Sequence, residues 1–300
     1  MTMANRLWRS TISVKRELQK NGVFTLPDIQ EIEKTIIENK PGGLVVIPYD
    51  NPTGHFYDQE SLLSLAQLCV KHDLRMISDE AYRELFYVDK QVTSIRGITD
   101  KEVPGIEWRR ISIETASKVR NACGLRVGAL VTDNKEFHEK SVAEYTANLC
   151  TNVIGQYIFG ALAHESKDDL QTRYKKQRTY YKSMLESVTE RFKKDIPGII
   201  ISSPDASLYS VIDVRDIAKP EFDANEFVLY CASTGKLEIE KNGAKMDVTL
   251  LVAPMSGFYA ESQNNPGKTQ MRIAYILSPE EMMIVPTLFK WLFEQFETMR

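Results

Sequence analysis

Short apolar runs alternate with amphipathic segments along the first half of the chain. Apolar residues that recur every three or four positions predict helices over residues 27–39 and 59–72. Short runs rich in Val, Ile and Leu predict four strands, over residues 44–47, 74–78, 109–113 and 127–132. Because strands that alternate with helices form mostly parallel sheets with helices on both faces, the pattern predicts an α/β fold.

The links after two of these strands add further expectations. Only residues 114–126 separate the last two strands, whereas a parallel crossover needs about a dozen or more residues and usually a helix. We therefore expect the last two strands to be antiparallel. A helix is expected to begin near Glu80, directly after residues 74–78.

The character of the chain changes near Ser166. Residues 168–194 form a long, highly charged helical stretch of the kind that connects domains along a solvated face. The rest of the pattern predicts strands over residues 199–202, 208–214, 249–253 and 271–275, and a helix that begins at Pro279. The sequence thus predicts a domain over residues 1–165, followed over residues 166–300 by an interdomain helix and a smaller α+β domain.

Composition places the chain among ordinary globular proteins, with 43% hydrophobic and 26% charged residues. A net charge of -3 gives no general attraction to nucleic acid or to anionic membranes. The chain has no apolar run of about 18 residues and no apolar signal core near its start. We expect reduced thiols, no metal site and a cytoplasmic location, because no metal-ligand spacing links the histidines to the widely spaced Cys69, Cys123, Cys150 and Cys231.

Polar motifs follow two of the predicted strands. Asn51 opens an Asn-Pro-Thr-Gly segment after the first strand, and these residue types are common in simple turns. Ligands, however, bind at the carboxyl ends of strands in open α/β sheets. Asp79 follows the second strand, where it would either cap a helix or hold a protonated ring nitrogen. Tyr82 would lie one helical turn beyond Asp79.

A third motif contains a lysine between hydroxyl groups and an arginine. Lys118 follows Thr115 and Ser117 after the third strand, and Arg126 comes eight residues later. A lysine in a loop is usually a solvated surface group, but a desolvated lysine is a nucleophile for carbonyl compounds. Two hydroxyls and an arginine are suited to binding a phosphate dianion.

The fourth motif is an arginine within an apolar strand. Arg272 lies between Met271 and Ile273, where an unpaired charge is costly. Two interpretations of Arg272 remain open: it forms an internal salt bridge, or it binds the carboxylate of a substrate.

In this order and spacing, the segments NPTG, SDEAY, TASK, GLR and MRIAY resemble those of class I/II aminotransferases, pyridoxal-phosphate (PLP)-dependent enzymes of fold type I. The similarity extends from about Pro27 to the C-terminus. It implies that residues 1–165 correspond to part of the family's large PLP-binding domain. It also implies that an amino group is transferred from an amino acid to a 2-oxo acid.

The resemblance assigns a role to each matching residue. Lys118 would form the Schiff base with pyridoxal 5′-phosphate and then move the substrate's α-proton. Asp79 would pair with the pyridinium nitrogen, which lets the ring accept electrons. Asn51 and Tyr82 would hydrogen-bond the phenolic oxygen of the ring. The remaining assignments are phosphate binding by Thr115, Ser117 and Arg126, and substrate binding by Arg272 together with Asn51.

The resemblance is incomplete at the N-terminus, because only 50 residues precede Asn51 and the family has many more. The region expected to be missing carries a Gly-rich helix N-terminus for the phosphate and an aromatic residue that stacks on the ring. We therefore expect weak PLP binding, and a homodimer or a partner chain that supplies the region. The alternatives are a non-catalytic scaffold, half of a split enzyme, or a PLP-dependent lyase or decarboxylase of the same fold.

Overall fold

The structure is a computed structural model that describes residues 4, 6–147, 151–241, 243–260 and 263–299. Cys150, one of the four expected thiols, lies outside the described residues, whereas Cys69, Cys123 and Cys231 are free. The chain divides into two compact units. The first unit comprises Met1–Glu17, Thr25–Asp50 and His55–Lys175, and the second comprises Leu18–Phe24, Asn51–Gly54 and Lys176–Arg300.

Helices and strands alternate only at the start of the first unit, and three strands then follow one another. In chain order they are α1 (Ile29–Asn39), β1 (Gly43–Val46), α2 (Gln59–Lys71), β2 (Arg75–Asp79), β3 (Arg110–Thr115), β4 (Gly128–Thr132), α3 (Lys135–Thr146) and α4 (Val153–Gly160). Asp28 and Asp58 begin α1 and α2, because each carboxylate accepts a hydrogen bond from a backbone amide of the first turn. Helix α5 (Lys167–Asp195) begins in this unit and ends in the second.

The sheet of the first unit has the order β1-β2-β3-β4. Strands β1, β2 and β3 are parallel, and β4 is antiparallel to β3, which confirms the expectation drawn from the short link. The link closes tightly, because the Ala116 amide donates to the Val127 carbonyl at 3.1 Å. Both ends of the link therefore lie at the carboxyl end of β3.

One face of this sheet packs in the core of the unit, and the other is partly exposed. Leu62, Leu65, Ala66 and Cys69 of α2 are buried in one cluster with Met76 of β2. The opposite face, called the open face below, carries Val45, Ile77, Asp79, Ile113, Thr115 and Leu130, as the strand registers show. Three of its apolar side chains are exposed, at 67% for Val45 and 44% for both Ile113 and Leu130.

The second unit is an α+β unit. Its elements are β5 (Ile200–Ile201), β6 (Tyr209–Asp213), α6 (Ala224–Ser233), β7 (Leu237–Lys241), β8 (Ala244–Val248), β9 (Ala253–Pro254), β10 (Gln270–Ala274), α7 (Pro279–Met282) and α8 (Val285–Thr298). An antiparallel sheet has the order β5-β6-β10-β9, and β7 pairs with β8 as a separate hairpin. Among the described residues, no helix combines the length and the apolar character needed to cross a membrane.

Aromatic packing forms much of the core of the second unit. Phe227 of α6 packs edge-on against Phe289 and Phe296 of α8, with ring centroids 5.7 and 5.4 Å apart. Edge-to-face contacts of this kind add to the stabilisation from buried area. A separate cluster explains why an N-terminal segment belongs to this unit, because Leu18 and Phe24 are buried together with Ile200, Val211 and Met255.

Two expected elements were wrong. No helix begins near Glu80, since residues 81–84 form turns and Glu84 has a positive φ of 86°, which is incompatible with helical continuation. The strand expected over residues 249–253 is reduced to Ala253–Pro254. Upstream of Ala253 the Thr249 hydroxyl donates to the Cys231 carbonyl of α6, and Leu251 is exposed. These residues therefore contact α6 and do not extend the strand.

Candidate active site

Lys118 lies in the turn that follows β3 and faces Tyr82. Its Nζ is 5.9 Å from the centroid of the Tyr82 ring. The turn is held by hydrogen bonds from the Asn121 amide to the Lys118 carbonyl and from the Ala122 amide to the Ala116 carbonyl. Lys118 is half-buried, and in the part of the chain that the structure describes no carboxylate lies within ion-pair distance of its amine.

Asp79 occupies the last position of β2, on the open face. Its Oδ1 accepts a hydrogen bond from the Ala81 amide at 3.0 Å, and within the described residues Oδ2 accepts none. The register pairs Asp79 with Ile113, and Thr115 lies two residues beyond Ile113 on the same face. Asp79 and Thr115 therefore lie on one face of the sheet at the carboxyl ends of adjacent strands.

The hydroxyls of Thr115 and Ser117 form one polar group. Thr115 Oγ1 donates to Ser117 Oγ at 2.8 Å and accepts from the Ser117 amide at 3.1 Å. Arg126 ends the short 3-10 helix Cys123–Leu125 with a φ of 55°, and its Nη1 donates to the Cys123 carbonyl at 2.8 Å. The Arg126 side chain is exposed and forms no ion pair with any described carboxylate, so its other N–H groups remain available to an anion.

A buried carboxylate that was not predicted as a site residue supports the turn between Asp79 and Tyr82. Glu80 is only 2% exposed, and burial raises the pKa of its carboxyl group, with the nearby Arg83 acting in the opposite direction. Arg83 in turn forms two hydrogen bonds with Glu114. Glu80 lies within the SDEAY segment, but its contacts with Ser94 and Ile95 span 14 and 15 residues and gave no local signal.

In the second unit, Arg272 binds an amide and two aromatic rings. Its Nη1 donates to Asn51 Oδ1 at 2.8 Å, and its guanidinium carbon lies 4.4 Å from the Tyr209 ring centroid and 5.2 Å from that of Phe258. The Arg272 Nε is buried and has no hydrogen-bond partner in the described part of the chain. Among the described residues no Asp or Glu forms an ion pair with Arg272, so its positive charge is stabilised without an internal counter-ion.

The Asn-Pro-Thr-Gly turn places Asn51 beside Arg272. The Gly54 carbonyl accepts hydrogen bonds from the amides of Asp205 and Ala206, at 2.9 and 2.8 Å. Gly54 has a φ of 73°, and a Cβ atom at this position would lie 2.4 Å from the Pro204 side chain. Only glycine fits this conformation and this close approach, so the turn is anchored on residues 204–206.

The predicted site residues form two groups. Asp79, Tyr82, Thr115, Ser117, Lys118 and Arg126 belong to the first unit, and Asn51 and Arg272 to the second. The first group offers an amine, an unshared carboxylate oxygen, a phenol, two hydroxyls and a guanidinium. The second group offers a guanidinium held by neutral partners. In the described part of the chain, no group of three or more His, Cys, Asp or Glu side chains could hold a metal ion.

Known proteins share this arrangement of elements. The α-aminoadipate aminotransferase LysN of Thermus thermophilus, solved in complex with N-(5′-phosphopyridoxyl)-L-leucine, aligns with a TM-score of 0.74 at 19% identity. The alignment covers 94% of this chain and 65% of that protein. The architecture is therefore the type I fold of pyridoxal-phosphate-dependent enzymes.

The sequence comparisons identify the family. The family model "Aminotransferase class I and II" matches residues 11–282, and the chain belongs to this family. A probable aspartate/prephenate aminotransferase of Aquifex aeolicus is 25% identical over 91% of this chain and 62% of its own length. An alanine aminotransferase of Mycobacterium bovis is 30% identical over 70% of this chain and 50% of its own length. The chain thus spans between half and 62% of the length of these two relatives.

Proposed function

We propose that the protein is a PLP-dependent aminotransferase that moves an amino group from an amino acid to a 2-oxo acid. The observation that carries this proposal is the position of Lys118. Its amine lies 5.9 Å from the Tyr82 ring, without a described carboxylate partner, at the end of the sheet that also holds Asp79 and Thr115. A lysine amine that is not held in an ion pair is available as a nucleophile for a carbonyl group.

The side chains of the first unit fit the chemical groups of pyridoxal phosphate. Asp79 Oδ2 can accept a hydrogen bond from the protonated ring nitrogen, and the Tyr82 hydroxyl is suited to a hydrogen bond with the phenolic oxygen. The hydroxyls of Thr115 and Ser117 and the exposed guanidinium of Arg126 suit the phosphate. When bound, pyridoxal phosphate withdraws electron density from the substrate Cα and so makes its proton acidic.

In this proposal Lys118 moves a proton. Its neutral amine accepts the proton from the substrate Cα and later returns one, so that the amine is regenerated. The amino donor leaves as a 2-oxo acid, and the acceptor leaves as an amino acid. No external oxidant or reductant is required, since the two half-reactions exchange one amino group for one oxo group.

We assign the α-carboxylate of the substrate to Arg272, with Asn51 as a second contact to substrate or cofactor. The support is the buried Arg272 Nε without a partner and the absence of a described acidic neighbour. A carboxylate would satisfy both, because guanidinium and carboxylate form parallel hydrogen bonds. The first unit would then act as the cofactor domain, and the second as the domain that binds the substrate carboxylate.

We also propose that the chain functions in the cytoplasm and as a homodimer, or with a partner chain. The support for association is the open face, where Val45, Ile113 and Leu130 expose apolar side chains beside two site residues. Exposed contiguous apolar surface commonly marks an interface. The free thiols of Cys69, Cys123 and Cys231 are those expected in a reducing compartment.

The decisive experiment is a titration of the purified chain with pyridoxal phosphate, followed by borohydride reduction and mass mapping. We expect visible absorbance from a lysine adduct and a reduced label on Lys118. Lys118→Ala should abolish both, whereas the control Lys101→Ala, at an exposed lysine of the same unit, should retain both. Labelling that is spread over surface lysines and persists in Lys118→Ala would refute the proposal.

The reaction class is tested with the loaded protein. Aspartate, alanine and aromatic amino acids are supplied as donors with 2-oxoglutarate as acceptor, because named relatives act on aspartate and alanine. Formation of glutamate and of the donor's 2-oxo acid in equal amounts supports transamination. Release of carbon dioxide or of an elimination product, without glutamate, would favour a decarboxylase or a lyase.

A further inference from the structure

Four polar residues at the end of β2 and in the turn that follows it alternate between two roles. Asp79 and Tyr82 belong to the proposed cofactor site, whereas the buried Glu80 and the partly buried Arg83 belong to an ionic network. The chain here forms turns, with the Arg83 amide donating to the Glu80 carbonyl at 3.0 Å. The conformation of the segment that carries Asp79 and Tyr82 therefore depends on what holds Glu80 and Arg83.

Glu80 fastens the end of β2 to a neighbouring loop. Its Oε1 accepts hydrogen bonds from the hydroxyls of Ser78 and Ser94, at 3.0 and 2.9 Å, and from the Ile95 amide at 3.2 Å. The side chain is fully buried, and its Oε2 lies 3.6 Å from Arg83 Nη1. A buried carboxylate with three donors on one oxygen has a single well-defined position, because any shift would leave donors unsatisfied in the interior.

Arg83 fastens the same segment to β3. Its Nη1 and Nη2 donate to the two carboxylate oxygens of Glu114, at 2.9 and 2.7 Å, and Nη1 also reaches Ser94 Oγ at 3.3 Å. This two-pronged geometry fixes direction as well as distance, which a lysine cannot reproduce. Glu114 immediately precedes Thr115, so the bridge connects the turn bearing Tyr82 with the strand end bearing the hydroxyls.

The backbone adds a further link between the same strands. The Glu80 amide donates to the Ile113 carbonyl at 3.0 Å. Glu80 and Arg83 thus connect the ends of β2 and β3 beneath the side chains that face the cofactor. Neither residue is among those that would contact pyridoxal phosphate.

We propose that Glu80 and Arg83, through Glu114, are positioning residues that set the Asp79 carboxylate and the Tyr82 hydroxyl relative to the Thr115–Lys118 turn. The part of this inference that concerns the cofactor rests on the proposed function. The rigidity of residues 81–85 does not, because it can be measured in the cofactor-free protein.

The test compares Arg83→Met, Arg83→Lys and Glu80→Gln with the control Asp213→Asn. Glu80→Gln retains an acceptor oxygen for the serines and the Ile95 amide but removes the charge facing Arg83. Asp213, a fully buried carboxylate of the second unit, pairs with Arg215 at 2.5 Å, so its variant weakens a comparable ion pair outside the Glu80–Arg83 network. Thermal unfolding of each variant measures its purely structural effect.

Hydrogen exchange of the cofactor-free protein is the first measurement. We expect the amides of residues 81–85 to exchange about tenfold faster or more in Arg83→Met and Glu80→Gln than in the wild type. Asp213→Asn should leave them unchanged even where its melting temperature falls equally. Unchanged protection in both test variants would overturn the positioning role, whatever the cofactor does.

Cofactor binding is the second measurement. Arg83→Met and Glu80→Gln should weaken pyridoxal phosphate binding about tenfold and shift the pH midpoint of its visible absorbance, with Arg83→Lys intermediate. Affinity and midpoint equal to those of Asp213→Asn would contradict the inference. If the wild type and Asp213→Asn bind no pyridoxal phosphate, the proposed function fails, and the exchange result still decides whether Glu80 and Arg83 hold the segment.

Discussion

Arg272 donates a 2.8 Å hydrogen bond from Nη1 to Asn51 Oδ1, although 221 residues separate the two in the sequence. A neutral amide orients the guanidinium but leaves its charge in place, whereas an aspartate or glutamate would neutralise that charge. The aromatic rings of Tyr209 and Phe258 complete the surroundings of the charge. The pair is therefore suited to receiving an external carboxylate.

Replacing Arg272 with Lys should impair substrate binding more than cofactor binding. The ammonium cannot offer parallel hydrogen bonds to a carboxylate, so we expect KM for the amino donor to rise about tenfold to a hundredfold. Steady-state kinetics and a pyridoxal phosphate titration of the same variant separate the two effects. Arg191→Lys, on an exposed part of α5, is the control and should match the wild type. An unchanged KM for Arg272→Lys would remove Arg272 from the substrate site.

Asn51→Asp tests whether the absence of a counter-ion matters. A carboxylate at this position would form an ion pair with Arg272 and compete with the substrate for the guanidinium. We expect KM to rise about tenfold, and to rise more than in Asn51→Ala, which merely removes the hydrogen bond. Equal KM values in the two variants would show that the charge of the neighbour is irrelevant. Melting temperatures of both variants control for misfolding of the Gly54 turn.

Arg126→Ala should weaken binding through the phosphate group alone. Loss of one charge-assisted contact is expected to reduce the affinity for pyridoxal phosphate by about tenfold to a hundredfold. Pyridoxal, which lacks the phosphate, serves as the control ligand and should bind wild type and variant equally. Equal losses for the two ligands would assign Arg126 a structural role.

His55 makes the stability of the first unit depend on pH. Burial, followed by repulsion from Arg16, lowers the pKa of its imidazole from 6.5 to about 4, while Asp58 acts in the opposite direction. The unfolded chain therefore binds more protons than the folded one between these values. Wild-type stability should fall as the pH is lowered from 6.5 to about 4, and level off below for this group.

The measurement is chemical denaturation across that pH range for wild type and His55→Gln. The variant has no titrating ring, so its free energy of unfolding should decline less between pH 6.5 and pH 4. His138→Gln, in α3, provides the control and should follow the wild-type slope. Parallel curves for wild type and His55→Gln would show that another group causes the decline.

Much of the fold followed from local patterns. The periodicity of residues 27–39 and 59–72 predicted α1 and α2 to within a few residues, and four apolar runs predicted β1 to β4. The antiparallel pairing of β3 and β4 followed from the length of their link, because too few residues remain for a crossover. The charged stretch predicted α5. The hairpin of β7 and β8 was missed, because its strands are largely exposed and carry charged residues throughout.

The sequence by itself determined the family, because each motif is a short segment that can be recognised by its residue types and by its place in the order of motifs. It also determined which residues are candidates for the site, since a lysine among hydroxyls or an arginine in an apolar strand is unusual wherever it lies. Only the tertiary structure decided that residues 81–84 form turns, that Arg83 grips Glu114, and that Asn51 orients Arg272. The physical reason is the separation along the sequence of the residues that determine each feature. A helical or strand period depends on side chains a few positions apart, whereas these contacts join residues 31 and 221 positions apart whose meeting depends on the packing of the whole unit.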